Sequence, residues 1–352
     1  MNDTTISTHD DILFAVRGRL GHVTLSRPKA LNALTHDMCR RLDAQLRRWA
    51  ADPKVETVVI TGAGDRAFCA GGDVVTLRNA GPRSPLVREF FWDEYRMNRR
   101  IFRFPKPYVA LMNGVTMGGG VGVSAPARLR VATDKTALAM PETAIGLFPD
   151  VGASYHLSHL PGEIGTYLGL TGVRIKAADL LYAGLATHFI PSSLLPAVMV
   201  ALQREPAADV VRRFTANPDQ EPPLAGLRAA IDRCFAGETL EDILGALERE
   251  GGAWAEEMRQ TLLQKSPLSL RVTLRELREG ARLPFEECLR MEFRLVRRFM
   301  NDHDFFEGIR ALLVDKDNAP KWRPATLAEA RADKVAAYFA PLADEPELQF
   351  DD

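Results

Sequence analysis

A mixed α/β core followed by a long helical region is the fold class that this 352-residue sequence predicts. Three observations carry the prediction. Short β-branched runs recur, two of them lead directly into glycine-rich turns, and amphipathic helical patterns follow the turns. From residue 192 to about 310, helical periodicity then dominates. Repeated strand, turn and helix units imply a core coiled from similar modules, with helices covering sheets. The expected division is such a core over residues 1–190 and a helical domain or lid over 191–352.

Residues 12–16 and 22–25, separated by Arg17-Gly18-Arg19, read as an opening β-hairpin. Thr35 caps a helix whose apolar stripe is Met38, Leu42, Leu46 and Trp49, and Asp52-Pro53 stops it. Residues 55–61 form a buried strand ahead of Gly62-Ala63-Gly64 and the run AFCAGGD at 67–73. Residues 84–104 form a helix with Phe91, Tyr95 and Ile101 inward, closed by Pro105 and Pro107, and 108–112 form the strand that leads to Gly118-Gly119-Gly120. Residues 177–182 read as helix and 185–190 as a last strand. Pro206, Pro222-Pro223, Gly251-Gly252 and Pro284 punctuate the helices beyond. The charge-rich stretch 271–282 reads as a solvated helix face. The end of this region, from 303 to 324, is irregular, with Phe306 and Trp322 packing.

Net charge is -1, with 45 basic and 46 acidic residues spread along the chain, so no general attraction to nucleic acid or anionic membrane is expected. Four separated cysteines, without a CxxC pair, fit a reduced protein better than a disulfide framework or zinc site. The polar, acidic opening MNDTTISTHDD carries neither a secretory nor a transit pattern, and no apolar run reaches the ~18 residues of a membrane span. A cytoplasmic location is the expectation.

Glycines let a backbone approach a ligand and aim N–H groups at it. Two glycine turns aimed at one point would give two donors to one oxygen, the arrangement that stabilises an oxyanion or enolate of an acyl group. Either turn alone could simply serve tight packing. Glu142 and Asp150, each behind a proline in apolar surroundings, add carboxylates whose pKa burial would raise towards proton transfer. The plain structural alternatives are a helix-start residue for Glu142 and an N-cap for Asp150. A dinucleotide fingerprint at 62–67 is rejected, because Gly81-Pro82-Arg83-Ser84-Pro85 stands where a second strand with its acidic residue belongs. No GxSxG elbow, HExxH or Walker loop occurs, and His156 and His159 lack a third ligand, so no metal is expected.

On these residues the chain resembles the crotonase (enoyl-CoA hydratase/isomerase) superfamily. The general likeness lies in Arg27-Pro28 with LNAL at 31–34, in AFCAGGD at 67–73 and in Gly118-Gly119-Gly120. A closer likeness, to thioester hydrolases within it, lies in KPYVAL at 106–111, MPETAIGLFPDVG at 140–152, and the C-terminal HDFFEGIRA and DKDNAPKW. The likeness spans 12–324 and implies a spiral of repeated ββα units. It further implies an oxyanion hole from the N–H groups of Gly72 and Gly119, and an acyl pocket lined by Glu94, Glu142 and Asp150. CoA would run past Lys29 and Ala70 to Asp73. The acyl-CoA is substrate, no separate cofactor is implied, and a homo-oligomer is common among relatives. Hydratases carry a first glutamate where this chain has Gly122, and the pair Glu142 and Asp150 matches the hydrolase pattern instead. The implied reaction is hydrolysis of a short β-hydroxyacyl-CoA, with Glu142 as base or nucleophile. The alternatives are a one-glutamate hydratase or isomerase, and a non-catalytic acyl-CoA-binding protein.

Overall fold

The computed structural model describes residues 10–343 and 345–351, so the opening segment read for targeting signals lies largely outside them. Strands β1 (Ile12–Arg17) and β2 (Leu20–Leu25) pair antiparallel as the expected hairpin. Helix α1 (His36–Ala51) follows, with the Thr35 hydroxyl accepting from Met38 N–H at 3.2 Å and the stripe Met38, Leu42, Leu46, Trp49 buried. From here the chain repeats one pattern. Each unit gives one strand to a six-stranded sheet, the next to a four-stranded sheet, and then turns into a helix or loop.

The pairs are β3 (Thr57–Gly62) with β4 (Ala67–Cys69), β5 (Tyr108–Met112) with β6 (Val115–Met117), and β7 (Leu129–Ala132) with β8 (Ala137–Ala139). The larger sheet runs β1-β2-β3-β5-β7-β10 and the smaller β4-β6-β8-β9, where β9 is Ile175–Lys176 and β10 is His188–Phe189. Apart from β1–β2 and β8–β9, all pairings are parallel. Parallel strands are covered on both faces, which is why β3 and β5 read as unbroken apolar runs. The strands β4 and β6 to β9 are not anticipated by the sequence, which reads 67–73 as a turn, because two to four residues carry too little periodicity. Only two residues of the strand expected at 185–190 pair as such.

Helix α2 (Val74–Ala80), capped by Asp73, and helix α3 (Pro85–Phe102) follow β4, and the four-residue helix α4 (Gly119–Gly122) follows β6. The C-terminal helices share their core with the spiral. One apolar cluster runs from Ile12 to Leu348, and a second lies between the outer face of the larger sheet and the helices Leu195–Ala201 and Ala207–Phe214. Helices Pro267–Gly280 and Phe285–Phe299 pack against α3 and the segment 142–171. The solvated face expected over 271–282 is only part of that helix. Arg271 and Arg275 pair with Glu241 and Glu279 on its outside, whereas Glu276 is wholly buried on its inside. A charged residue at a core-facing position is invisible to a reading based on composition.

Candidate active site

The two glycine turns meet. β4 and β6 lie side by side in the smaller sheet, so the segments leaving them run together. A Cβ on Gly120 would stand 2.2 Å from the Cys69 carbonyl oxygen, one on Gly119 3.3 Å from the Gly71 carbonyl carbon, and one on Gly118 3.4 Å from Gly71 Cα. No larger residue fits that approach. Gly71 also takes a φ of +121°, which L side chains rarely adopt. Gly72 N–H finds no acceptor among the described residues, while its neighbours are tied by Leu34 N–H to Gly71 O and Asp73 N–H to Leu34 O, both at 2.8 Å. Gly119 opens α4, so its N–H has no intrahelical acceptor.

Beside these amides lies a cavity of about 250 Å³. Gly72, Gly119, Ala70, Glu94, Glu142 and Asp150 all line it, so six of the eight anticipated residues come together. Lys29 instead stands exposed on the short turn Pro28–Ala30. Asp73 caps α2 through Thr76 N–H and binds Arg27 at 2.9 Å. Phe90, Phe91 and Leu147 supply apolar wall, and Leu312 and Leu313 close one side from a π-helical turn at Arg310–Val314.

The three cavity carboxyls come from different elements. Glu94 sits on the buried face of α3, Glu142 opens the 3-10 turn Glu142–Ile145, and Asp150 follows it. Asp150 is not the N-cap its position suggested. Its carboxylate accepts from the Tyr95 hydroxyl at 2.8 Å, and Gly152 caps the short helix Ala153–His156. Val151, immediately after Asp150, is held at a φ of +57°, a strained conformation for a β-branched residue. The turn is fixed from behind by Glu292, which accepts from Gly152 N–H at 2.7 Å and Ser154 N–H at 3.0 Å. The segment 142–146 is clamped too. A Cβ on Gly308 would lie 2.4 Å from the Ile145 carbonyl carbon, and one on Gly146 would lie 2.2 Å from the Asp304 carbonyl oxygen. The HDFFEGIRA stretch is therefore a support for Glu142.

Burial raises all three acids. Asp150 moves from its ordinary 3.8 to about 7, against the lowering effect of the Tyr95 hydrogen bond. Glu142 is pushed well up by burial and then by the charge of Asp150, and Glu94 by burial, Asp150 and Glu142. One oxygen of Glu142 and one of Glu94 have no hydrogen-bond partner in the protein. Three raised carboxyls on one cavity titrate as a coupled set that can hold and exchange protons. Among the described residues no group of three or more His, Cys, Asp or Glu side chains could hold a metal ion, and no helix is long and apolar enough to cross a membrane. His156 and His159 belong instead to an aromatic cluster with Tyr155 and Phe285.

Gly122 stands where a further glutamate would be needed for a hydratase pair. A Cβ there would lie 2.7 Å from Val151 Cβ and 2.9 Å from Asn98 Nδ2, and Asn98 already donates to the Gly122 carbonyl at 3.0 Å. The position is filled by its neighbours. Tyr95, Glu276 and Glu292 were not read as polar site groups from the sequence. Tyr95 fell in an apolar stripe, and the two glutamates fell among charged helices.

The family model for enoyl-CoA hydratase/isomerase matches residues 20–339. The chain is 45% identical to "3-hydroxyisobutyryl-CoA hydrolase, mitochondrial" of Danio rerio, over 96% of this chain and 91% of that protein. It is 42% identical to the protein of the same name from Homo sapiens, over 95% and 89%. Among solved structures, a carnitinyl-CoA dehydratase from Mycobacterium thermoresistibile superposes with a TM-score of 0.93 at 43% identity, covering 97% of this chain and 99% of that one. An enoyl-CoA hydratase from Rhodobacter sphaeroides 2.4.1 superposes with a TM-score of 0.88 at 43% identity, covering 97% and 100%.

Proposed function

The chain belongs to the enoyl-CoA hydratase/isomerase family, and from that premise we propose that it is a CoA-thioester hydrolase converting 3-hydroxyisobutyryl-CoA and water to 3-hydroxyisobutyrate and CoA, a step of valine degradation. The relatives' names divide between hydrolase and hydratase or dehydratase at nearly equal identity. The observation that carries the choice is Gly122. Its surroundings leave no space for a second hydratase glutamate, while Glu142 and Asp150 both reach the cavity.

In this reading the thioester oxygen rests on the N–H groups of Gly72 and Gly119, donors that would stabilise the tetrahedral oxyanion. Glu142 takes a proton from water as its oxygen attacks C1. Asp150, which burial raises to about 7, holds the proton of the pair and gives it to the departing sulfur; with Asp150 protonated, the charge that disfavours an ionised Glu142 is gone, which frees Glu142 to act as the base. Tyr95 occupies one Asp150 oxygen and leaves the other for substrate. Glu94 borders the acyl end of the cavity, where it would face the substrate hydroxyl. The CoA chain leaves past Ala70, with Lys29 and Asp73 near its outer course. No cofactor beyond the CoA of the substrate is required.

The test is a pair of assays on one preparation. Thiol release from 3-hydroxyisobutyryl-CoA, without hydration of crotonyl-CoA, is the expected result. Hydration without thiol release would make it a hydratase, and CoA binding without turnover of either would make it an acyl-CoA-binding protein. Cytoplasmic residence is retained as part of the proposal, although the two named hydrolases carry the word mitochondrial. Cell fractionation distinguishes the two locations, and light scattering tests a homo-oligomer.

A further inference from the structure

Helix Pro267–Gly280 carries a polar stripe on its buried side. Ser269, Thr273 and Glu276 are each 0% exposed, recur at helical spacing, and leave the Ser269 and Thr273 hydroxyls and both Glu276 carboxyl oxygens without a partner in the protein. The helix runs between the two catalytic segments. At its start Ser266 N–H donates to Thr143 O, next to Glu142. At its end a Cβ on Gly280 would stand 2.1 Å from the carbonyl oxygen of Ser154, on the turn that follows Asp150. Glu276 lies one helical turn before Gly280, so its side chain sits behind the Glu142 and Asp150 segments.

A buried carboxyl with neither oxygen bonded is costly, and in native proteins such groups are commonly satisfied by internal water. The alternative partner, a cation, is missing. Glu276 takes part in no ion pair among the described residues. The ionisable groups acting on it are Glu292, on helix Phe285–Phe299, and Asp150 and Glu142. The Cys288 thiol on that same helix is raised by burial first, then by Glu292 and, more weakly, by Glu276. Of the other helices packed against Pro267–Gly280, Ile164–Thr171 has no charged residue and His156 on Ala153–His156 is held neutral by burial; Ala332–Phe339 carries Lys334, which pairs with Asp302 at 2.9 Å, and Leu240–Glu250 carries Arg249, and neither cation is among the charges that act on Glu276. Burial, and then the neighbouring carboxylates, push the Glu276 carboxyl well above the usual carboxylate range.

We propose that Glu276 is a positioning residue for the proton of the reaction, exchanging it with Glu142 and Asp150 through water held along the Ser269–Thr273–Glu276 face. The inference rests on the hydrolase reading, whose balance requires such a step. Water adds to C1 and the C1–S bond breaks. Glu142 takes one proton of that water, and Asp150 protonates the sulfur. The carboxylic acid product then ionises and returns a proton to Asp150. One proton is left on Glu142 in every cycle, and it must leave before the next. A protonated carboxyl with both oxygens open passes a proton by accepting on one and giving up the other. Glu292, pushed to about 8, is the next group along.

The experiment compares the full chain with Glu276→Gln, Glu276→Asp and Glu276→Leu, following thiol release from 3-hydroxyisobutyryl-CoA across pH together with thermal melting. Glu276→Gln keeps the shape and cannot relay a proton. It is expected to lower kcat at least about 10-fold with KM unchanged, and to move the alkaline limb of the profile to lower pH. Glu276→Asp restores part of the rate. Glu276→Leu loses rate like the glutamine variant while melting at a higher temperature, since an unpaired buried acid is removed. Wild-type kcat and pH profile in Glu276→Gln would overturn the proposal. So would a loss that tracks unfolding and is not relieved by aspartate. If the unaltered chain releases no thiol, it is the hydrolase reading that fails.

Discussion

Two groups of buried acids sit on opposite sides of one turn. Glu94, Glu142 and Asp150 are 2 to 5% exposed and open onto the cavity, whereas Glu276 and Glu292 are 0% exposed and do not line it. Burial is the leading cause of the raised pKa in all five. A shifted pKa alone therefore does not identify the group that meets the substrate. Access and orientation do. Glu292 spends its oxygens on Gly152 and Ser154 and acts as a brace, Asp150 keeps one oxygen for the cavity, and Glu276 keeps both free behind it.

The largest effect is expected from neutralising the front pair. Glu142→Gln is expected to cut thiol release by about 10²–10⁴, the range for a positioned acid or base, with CoA binding by calorimetry retained. Near-normal release would remove Glu142 from the mechanism. Asp150→Asn should show a comparable loss together with a stability change of predictable sign. Asp150 has a raised pKa in the folded chain, so the folded state holds the proton more tightly than the unfolded one. The stability this proton contributes is full below about pH 4 and declines as pH rises through about 7. The asparagine variant should lack that part of the decline, so that between pH 5 and pH 8 the parent loses about 3 kcal/mol more stability than the variant does. Denaturant titrations at pH 5 and pH 8 read the slope, and an identical slope in both proteins would place the Asp150 titration elsewhere.

A smaller loss is expected where the backbone, not a side chain, does the chemistry. In Gly119→Ala the added Cβ would meet Glu94 Oε1 at 2.8 Å and Leu34 Cδ1 at 3.1 Å, displacing one amide of the oxyanion hole. Loss of such a donor costs about 10²–10³ in kcat, which a steady-state assay resolves. An alanine variant with the parent's kcat would exclude the Gly119 amide as an oxyanion donor.

The front of the site was legible in the sequence because it depends on residues that have few other uses in combination. Paired glycine turns after apolar strands and two carboxyls behind prolines all lie within 67–150 and are read locally. The long strands and α1 were legible for the same reason, their periodicity being confined to one element. The rear was not. Glu276 and Glu292 lie among arginines on helices whose outer faces carry ion pairs, and only packing reveals which acid points inward. Tyr95 shows the same limit at one residue: its ring fits the apolar stripe of α3, and its hydroxyl matters only once Asp150 is 2.8 Å away. Strands such as β9, two residues long, exist through pairing with β8 and leave no local pattern.

The smallest effect is expected at Lys29, the one basic residue carried over from the resemblance that stands outside the cavity. A solvated lysine meeting a phosphate of CoA contributes about 0.2–1 kcal/mol and is screened by salt. Lys29→Ala should therefore raise KM only about 2- to 5-fold at low ionic strength, with kcat unchanged. The difference should fade as salt is added. The same substitution measured on a substrate truncated to the pantetheine thioester should have no effect, because the nucleotide phosphates are gone. A change in kcat, or an effect that persists with the truncated substrate, would mean that the Pro28–Ala30 turn acts on the site through its packing. Arg27, one residue before that turn, is the group through which it would do so, since it binds Asp73 at 2.9 Å and the Ala33 carbonyl at 2.7 Å.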